Sequence, residues 1–128
     1  RGRFMWPVID RFGDVLTPPR AAYRTGRTVT VRFVGAHPNN DFHTGGTYLD
    51  VQRADGPEWV TVADDNDWST TLRWARPGGS TDTAVITVEW TIPDDAAGSY
   101  RIRYHGDWRA ASGKLTPFTG TTRTFVVR

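Results

Sequence analysis

The alternation of apolar and polar residues predicts β-strands along almost the whole chain. In residues 28–34, Val29, Val31 and Phe33 alternate with polar residues, which is the two-residue period of a half-buried strand. The same pattern recurs between clusters of Gly, Pro, Asp and Asn, whereas no stretch has helical periodicity. The predicted strands cover residues 28–34, 47–53, 58–63, 70–76, 83–92, 99–105 and 122–127.

This strand spacing is typical of an all-β fold, an immunoglobulin-like β-sandwich of about seven antiparallel strands. The turn at residues 93–98 supports it, because Tyr100 follows the turn and precedes an inward-facing Ile102 by two residues, as in a tyrosine corner. A small β-barrel is the structural alternative. Without cysteine the core cannot hold a disulfide, and we expect it to be packed by Trp59, Trp74, Trp90 and Ile102.

Length and composition indicate one globular domain. The chain has 128 residues, of which 38% are hydrophobic and 23% charged. No apolar run approaches the roughly 20 residues of a membrane span, and the short run after Arg3 does not predict a cleavable signal peptide. We therefore expect a mature fragment of a longer protein. The lack of cysteine also excludes a thiolate zinc site and a cysteine nucleophile.

Charge is unevenly distributed along the chain. Residues 1–35 carry a net charge of +5, residues 41–67 of −6 and residues 68–128 of +3, and fifteen of the sixteen cations are arginine. A nucleic-acid-binding protein would place its cations on one face with aromatic residues between them. Here several arginines occupy polar positions of predicted strands, so a solvated sheet face and no nucleic-acid partner are predicted; they are Arg32, Arg73, Arg101 and Arg103.

Catalytic motifs are not found in the sequence: it has no nucleophile elbow, no phosphate-binding glycine loop and no zinc-binding helix motif. His37, Asp41 and His43 lie close together in sequence and could provide three metal ligands. A Pro/Asn-rich turn with exposed imidazoles is the simpler interpretation, because five intervening loop residues do not impose convergent geometry.

Two tryptophans lie outside the predicted strands, Trp6 near the start and Trp108 in a predicted loop. Exposed loop aromatics can form a docking surface or contact a membrane interface, and the alternative is that they cap the sandwich. Two further functions stay open on the residues alone. One is a free-standing carbohydrate- or protein-binding module that uses Trp6 and Trp108, and the other is a small hydrolase built on the two histidines and Asp41.

Seven segments in order along the chain resemble the C-terminal domain of the neutral (neutral/alkaline non-lysosomal) ceramidases. They are FGDVL at 12–16, FVGAHPN at 33–39, GTYLDV at 46–51, DWSTTLRW at 67–74, VEWTIP at 88–93, GSYRIRY at 98–104 and FTGTT at 118–122. One departure is His37, where the family more often has Asn. The resemblance spans residues 12–127, nearly the whole chain.

The resemblance implies a non-catalytic domain of a zinc-dependent amidohydrolase that cleaves ceramide to sphingosine and fatty acid. The zinc of that reaction is bound in an N-terminal catalytic domain, whose ligand motifs do not occur in this chain. Residues 1–11 are then a linker from that domain and residues 12–128 the immunoglobulin-like domain. The implied partners are the catalytic domain and membrane lipid, and the implied location is secreted or cell-surface, in a bacterium.

The resemblance also implies a divalent-cation half-site. The family's acid-x-polar-Trp-x-Thr pattern matches Asp65, Asp67 and Thr70, whose oxygens suit Ca²⁺ or Mg²⁺ at the contact between the two domains. The alternative is an acidic turn whose carboxylates accept backbone hydrogen bonds. A domain that docks on a partner should also expose an apolar patch, for which the candidates are Trp6, Trp108 and Phe118.

Overall fold

The computed structural model describes residues 13–36, 48–75, 83–109 and 115–128, and within them every regular element is a strand. None of these elements is a helix, so no helix of the described chain could cross a membrane. The ten strands are β1 Val15–Thr17, β2 Ala22–Tyr23, β3 Thr28–Ala36, β4 Leu49–Asp55, β5 Glu58–Asp64, β6 Thr70–Ala75, β7 Thr83–Thr91, β8 Gly98–Arg109, β9 Leu115–Thr121 and β10 Phe125–Val127.

The strands form two sheets. The four-stranded sheet has the order β1-β3-β7-β6, and the second sheet has the order β2-β10-β8-β4-β5, with β9 paired to the far half of β8. β8 pairs with β4 along one side, while its other side pairs with β10 at residues 98–100 and with β9 at residues 103–109. The predicted all-β immunoglobulin-like sandwich is therefore confirmed.

The core lies between the two sheets and follows the predicted alternation. Val29, Val31 and Phe33 of β3 are fully buried and face Ile102 and Tyr104 of β8 across the sandwich. Inward side chains alternate with outward polar ones because successive residues of a strand point to opposite faces. The remaining core residues are Leu49, Val51, Ala63, Ala84, Ile86, Val88, Trp90, Ile92, Tyr100, Phe125 and Val127.

The predicted tyrosine corner is present at the start of β8. The hydroxyl of Tyr100 accepts a hydrogen bond from the backbone N–H of Ala97 at 3.2 Å and lies 3.3 Å from the carbonyl of the same residue. The Tyr100 ring stacks on Phe125 and lies 5.2 Å from the ring of Trp90. This aromatic cluster occupies the part of the core next to the corner, as expected where no disulfide joins the sheets.

The strand prediction was incomplete in three places. β1, β2 and β9 were not predicted, because β1 and β2 are too short to show a period and β9 contains Pro117 and Gly120. β8 continues to Arg109, so the backbone of Trp108 is paired in a strand instead of lying in a loop. The pairing of β2 with β10 is parallel, whereas every pair was predicted to be antiparallel.

The prediction that Trp59 lies in the core was wrong, and a β-bulge explains why. Val51 pairs with Ala63, but the next residue, Gln52, pairs with Thr61, so one residue of β5 is extra. A shift of one residue moves every following side chain to the other face. Trp59 is consequently half-buried on the outer face, with the Arg101 guanidinium 4.3 Å from its ring centroid.

Two glycines allow β9 to lie against the segment that precedes β1. A Cβ built on Gly120 would lie only 2.1 Å from the carbonyl oxygen of Gly13, and Gly13 itself has a φ of 93°. Any side chain at Gly120 would therefore collide with backbone, which cannot move aside as a flexible side chain does. The close approach explains why this segment of β9 carries a glycine.

Candidate metal centre and contact surface

The three predicted metal ligands, Asp65, Asp67 and Thr70, lie in or next to the loop between β5 and β6. Asp67 Oδ2 accepts a hydrogen bond from the backbone N–H of Asp64 at 2.9 Å, and Asp64 Oδ1 accepts one from the N–H of Asn66 at 2.9 Å. Thr70 Oγ1 donates to the carbonyl of Asp64 at 2.6 Å. The loop is thus a compact acidic turn of the kind weighed as the alternative to a cation site.

One oxygen of this loop is not accounted for by the turn. Asp65 Oδ1 is buried and has no hydrogen-bond partner in the described chain. A buried carboxylate oxygen without a partner is costly, so it calls for a donor or a cation. The described residues contain no cluster of three His, Cys, Asp or Glu side chains that could hold a metal ion, and the half-site has two carboxylates and a hydroxyl.

Trp68, in the same loop, has an exposed indole. It was not among the contact residues predicted from the sequence. Its side chain is 84% exposed, the largest exposure of any large hydrophobic residue in the described chain. The local sequence does not predict a contact role for Trp68, because the residue lies in a polar run between Asp67 and Ser69. Only its place in the acid-x-polar-Trp-x-Thr pattern could have identified it.

A groove of about 580 Å³ runs beside Trp68, at the open edge between β5 and the turn after β7. Its walls include Val62, Arg53 and Ala96, and its floor is formed by Trp90 and Tyr100. Val62, the extra residue of the β-bulge in β5, is exposed. The indole Nε1 of Trp90 is buried without an acceptor in the described chain. Two orphaned polar atoms and one exposed indole therefore lie around one corner of the sandwich.

The other predicted contact and metal residues have different outcomes. Phe118 is half-buried on β9 with its ring 5.8 Å from Tyr104, so it packs against the core. The side chain of Trp108 lies outside the described residues, although its backbone is in β8. Trp6 lies outside the described residues altogether, as do His37, Asp41 and His43.

A second feature missed from sequence is an ionic network on the outer face of the six-stranded sheet. Asp50 accepts two hydrogen bonds from Arg103, at 2.9 and 2.8 Å, and its Oδ2 lies 3.0 Å from Nε2 of His105. Nδ1 of His105 lies 3.1 Å from the Thr119 hydroxyl. Alternating charges on two strands were the available signal, but their pairing depends on the β4–β8 register.

Burial and neighbouring positive charges shift the pKa of Asp50 in opposite directions. Burial alone would raise its pKa, but the hydrogen bonds and positive charges of His105 and Arg103 outweigh burial and lower the pKa of Asp50 to about 2. The same carboxylate raises the pKa of Arg103 above its ordinary value. Burial and repulsion from Arg103 lower the pKa of Arg101. Asp50 is therefore an internal counter-ion, buried beneath the arginine side chains.

Comparison with known proteins identifies the family of this sandwich. A family model described as "Neutral/alkaline non-lysosomal ceramidase, C-terminal" matches residues 5–127. The neutral ceramidase of Mycobacterium tuberculosis is 47% identical over 91% of this chain and 18% of its own length. That of Pseudomonas aeruginosa is 46% identical over 94% of this chain and 19% of its own length.

The fold comparison agrees with the sequence matches. A crystal structure of neutral ceramidase from Pseudomonas aeruginosa superimposes with a TM-score of 0.85 and 42% identity, over 94% of this chain and 20% of that chain. The molecule is thus an immunoglobulin-like C-terminal domain. It belongs to the neutral/alkaline non-lysosomal ceramidase family and spans about a fifth of the length of the relatives it matches.

Proposed function

We propose that this chain is the non-catalytic C-terminal domain of a secreted or cell-surface ceramidase. The full-length enzyme hydrolyses the N-acyl amide bond of ceramide to sphingosine and fatty acid. The observation that carries the proposal is the match over residues 5–127 to a C-terminal domain that makes up about a fifth of its relatives. The zinc-dependent chemistry lies in the catalytic domain of the same chain, and this domain supports that catalytic domain.

The corner around the β5–β6 loop is the surface that meets the catalytic domain. Trp68 is exposed there, Val62 lines an open groove, and the buried Asp65 Oδ1 and Trp90 Nε1 lack partners in the described chain. Exposed aromatic residues beside unsatisfied polar groups are what a protein contact leaves when one side is removed. A partner segment that supplies one acceptor and one donor or cation would satisfy both orphaned atoms.

A divalent cation fits the loop as part of this contact. Asp65 supplies a buried oxygen without a partner, and Asp67 supplies a second carboxylate. Thr70 Oγ1 directs its proton to the Asp64 carbonyl, which leaves oxygen lone pairs available for a cation. Hard oxygen ligands suit Ca²⁺ or Mg²⁺, which take more ligands than these three residues provide. Water or the catalytic domain completes the coordination.

A hydrolysis assay tests the enzymatic part of the proposal. The complete reading frame that contains these 128 residues should release fatty acid from a fluorescent N-acyl sphingosine, whereas the 128-residue chain alone should release none with or without added zinc. Turnover by the chain alone would place the chemistry in this domain and overturn the proposal. Absence of turnover by the complete, folded protein would also overturn it.

Calcium titration of the 128-residue chain tests the half-site. We expect backbone amide shifts confined to residues 64–71, with a dissociation constant on the order of 10⁻⁴–10⁻³ M because the site is incomplete. Asp65→Asn/Asp67→Asn should abolish the shifts. Asp55→Asn/Glu58→Gln is the matched control, because it removes the same charge from another exposed turn. No response at roughly tens of millimolar Ca²⁺, or equal loss in the control, would leave only an acidic turn.

A further inference from the structure

Four arginines surround Tyr23 at the β2 edge of the six-stranded sheet, and we refer to Arg20, Arg24, Arg27 and Arg128 as the arginine edge. Arg20 and Arg27 line one groove, together with residues of β1 and β3. Arg24 and Arg128 line a second groove, and Tyr23 lines both. No carboxylate lines either groove in the described chain. Both grooves therefore meet at Tyr23, and each is lined by two arginines.

The guanidinium groups of the arginine edge have no acidic partner among the described residues. Two other arginines are neutralised, since Arg73 pairs with Glu89 at 2.7 Å and Arg103 pairs with Asp50 at 2.8 Å. No ion pair or side-chain hydrogen bond forms at Arg20, Arg24, Arg27 or Arg128 within the described residues. These four positive charges are available to an external anion.

The backbone beneath the arginine edge is held in place. The N–H of Arg20 donates to the Tyr23 hydroxyl at 2.8 Å, and the N–H of Arg128 donates to the carbonyl of Tyr23 at 3.1 Å. The Tyr23 ring packs edge-on against Phe125 of the core at 5.5 Å. Tyr23 is thus an anchor for the edge and not an inserting side chain. The arginines are presented from a fixed edge, so contact need not first order this backbone.

The arginine edge lies on the opposite side of the sheet from the proposed catalytic-domain contact. In the order β2-β10-β8-β4-β5, four strand spacings of about 4.8 Å separate the two edges by roughly 19 Å. The β5 side carries carboxylates at Glu58, Asp64 and Asp67. A domain that docks through the acidic side therefore leaves its cationic side exposed.

We propose that the arginine edge is a contact surface for an anionic lipid membrane. The choice of lipid as the source of the anion rests on the proposed function, because ceramide is held in membranes. Guanidinium groups bind phosphate oxygens with two parallel hydrogen bonds, and each cation near an anionic bilayer strengthens binding. Val126, exposed on the neighbouring β10 strand, adds a small apolar contact without deep insertion.

Vesicle sedimentation of the 128-residue chain tests this surface without any enzymatic readout. With roughly a third phosphatidylglycerol in phosphatidylcholine, four arginines predict a partition coefficient of about 10³ M⁻¹, so that about half of the chain binds at about 1 mM lipid. Arg24→Gln/Arg27→Gln should lower the coefficient roughly 30-fold. Arg53→Gln/Arg73→Gln removes the same charge elsewhere and should lower it less than about 3-fold.

The outcomes separate the membrane from other anions. Loss of binding on phosphatidylcholine alone and at about 0.5 M salt supports the proposal. Equal losses in the two double variants, while thermal melts show both folded, would overturn it, since net charge and not this edge would then be responsible. Tighter binding to single-stranded DNA than to the vesicles would also overturn it and indicate a nucleic-acid partner. A failed ceramide assay leaves these measurements unaffected.

Discussion

The two outer edges of the six-stranded sheet, β2 and β5, differ in charge and in exposed apolar surface. The β2 edge carries four arginines without an acidic partner among the described residues, and its backbone is held to the core through Tyr23. The β5 edge carries carboxylates, an exposed Trp68 and an open groove. The difference follows the chain, because β2 comes from the segment with a net charge of +5 and β5 from the segment with −6. At these two edges the charge difference between the segments is kept in the folded structure.

The largest expected effect is from a residue that supports both edges, Trp90. Its ring lies 5.2 Å from that of Tyr100 and 6.3 Å from that of Phe125, and it also forms the groove floor. Trp90→Ala should lower the free energy of unfolding by about 3–5 kcal/mol in urea titrations. Val126→Ala, on the exposed face of β10, is the control and should cost less than about 0.5 kcal/mol. A loss below about 1 kcal/mol for Trp90→Ala would show that the edges fold independently of this cluster.

A smaller effect, a loss of folding stability in acid, is expected from Asp50. It tests whether Asp50 behaves as an exposed carboxylate of the acidic edge or as a buried counter-ion. Its pKa is 3.8 ordinarily and about 2 in the folded chain, so the folded state binds the proton less tightly. The stabilisation is therefore complete above about pH 4 and is lost as the pH falls through about 2, a change of about 2 kcal/mol.

The free energy of unfolding should be measured at about five pH values between about 5 and 2. Asp50→Asn should remove this part of the pH dependence. Asp55→Asn is the control, because Asp55 is exposed at the end of the same strand and should leave the dependence in place. If both variants titrate like the parent, other carboxylates determine the acid sensitivity.

The smallest expected effect is at Trp68. Because its indole is 84% exposed, Trp68→Ala should change the stability of the chain by less than about 0.5 kcal/mol. Trp59→Ala should cost about 1 kcal/mol or more, because Trp59 is half-buried under Arg101. Chemical denaturation of the two variants side by side measures the contrast. A larger cost at Trp68 would mean that the indole already packs within this domain.

Sequence patterning predicted the sandwich because the six strands from β3 to β8 alternate in sequence. Ile102 and Trp90 proved to be buried, and the Tyr100 hydroxyl forms the expected corner. β1 and β2 could not be predicted, since a period cannot be recognised over two or three residues. Trp59 was misplaced because the bulge opposite Gln52 depends on pairing between strands, which periodicity along one strand does not contain.

The contact surface was harder to predict than the fold. Asp65, Asp67 and Thr70 were predicted as ligands from their hard oxygen atoms together with the resemblance to a family, with an acidic turn as the alternative. The exposure of Trp68 and the lack of a partner for Trp90 Nε1 among the described residues are properties of the assembled sandwich. The arginine edge likewise joins Arg128 to residues about 100 positions earlier, through the parallel β2–β10 pairing.

The parallel pairing of β2 with β10 also has a mechanical consequence. β2 and β10 run in the same direction. A force that pulls the two strands in opposite directions along their length therefore slides one strand past the other. The bonds from Val126 N–H to Ala21 and from Arg128 N–H to Tyr23 are then stretched together instead of one after the other. A force along the strands would therefore load both hydrogen bonds in shear, although β2 has only two residues.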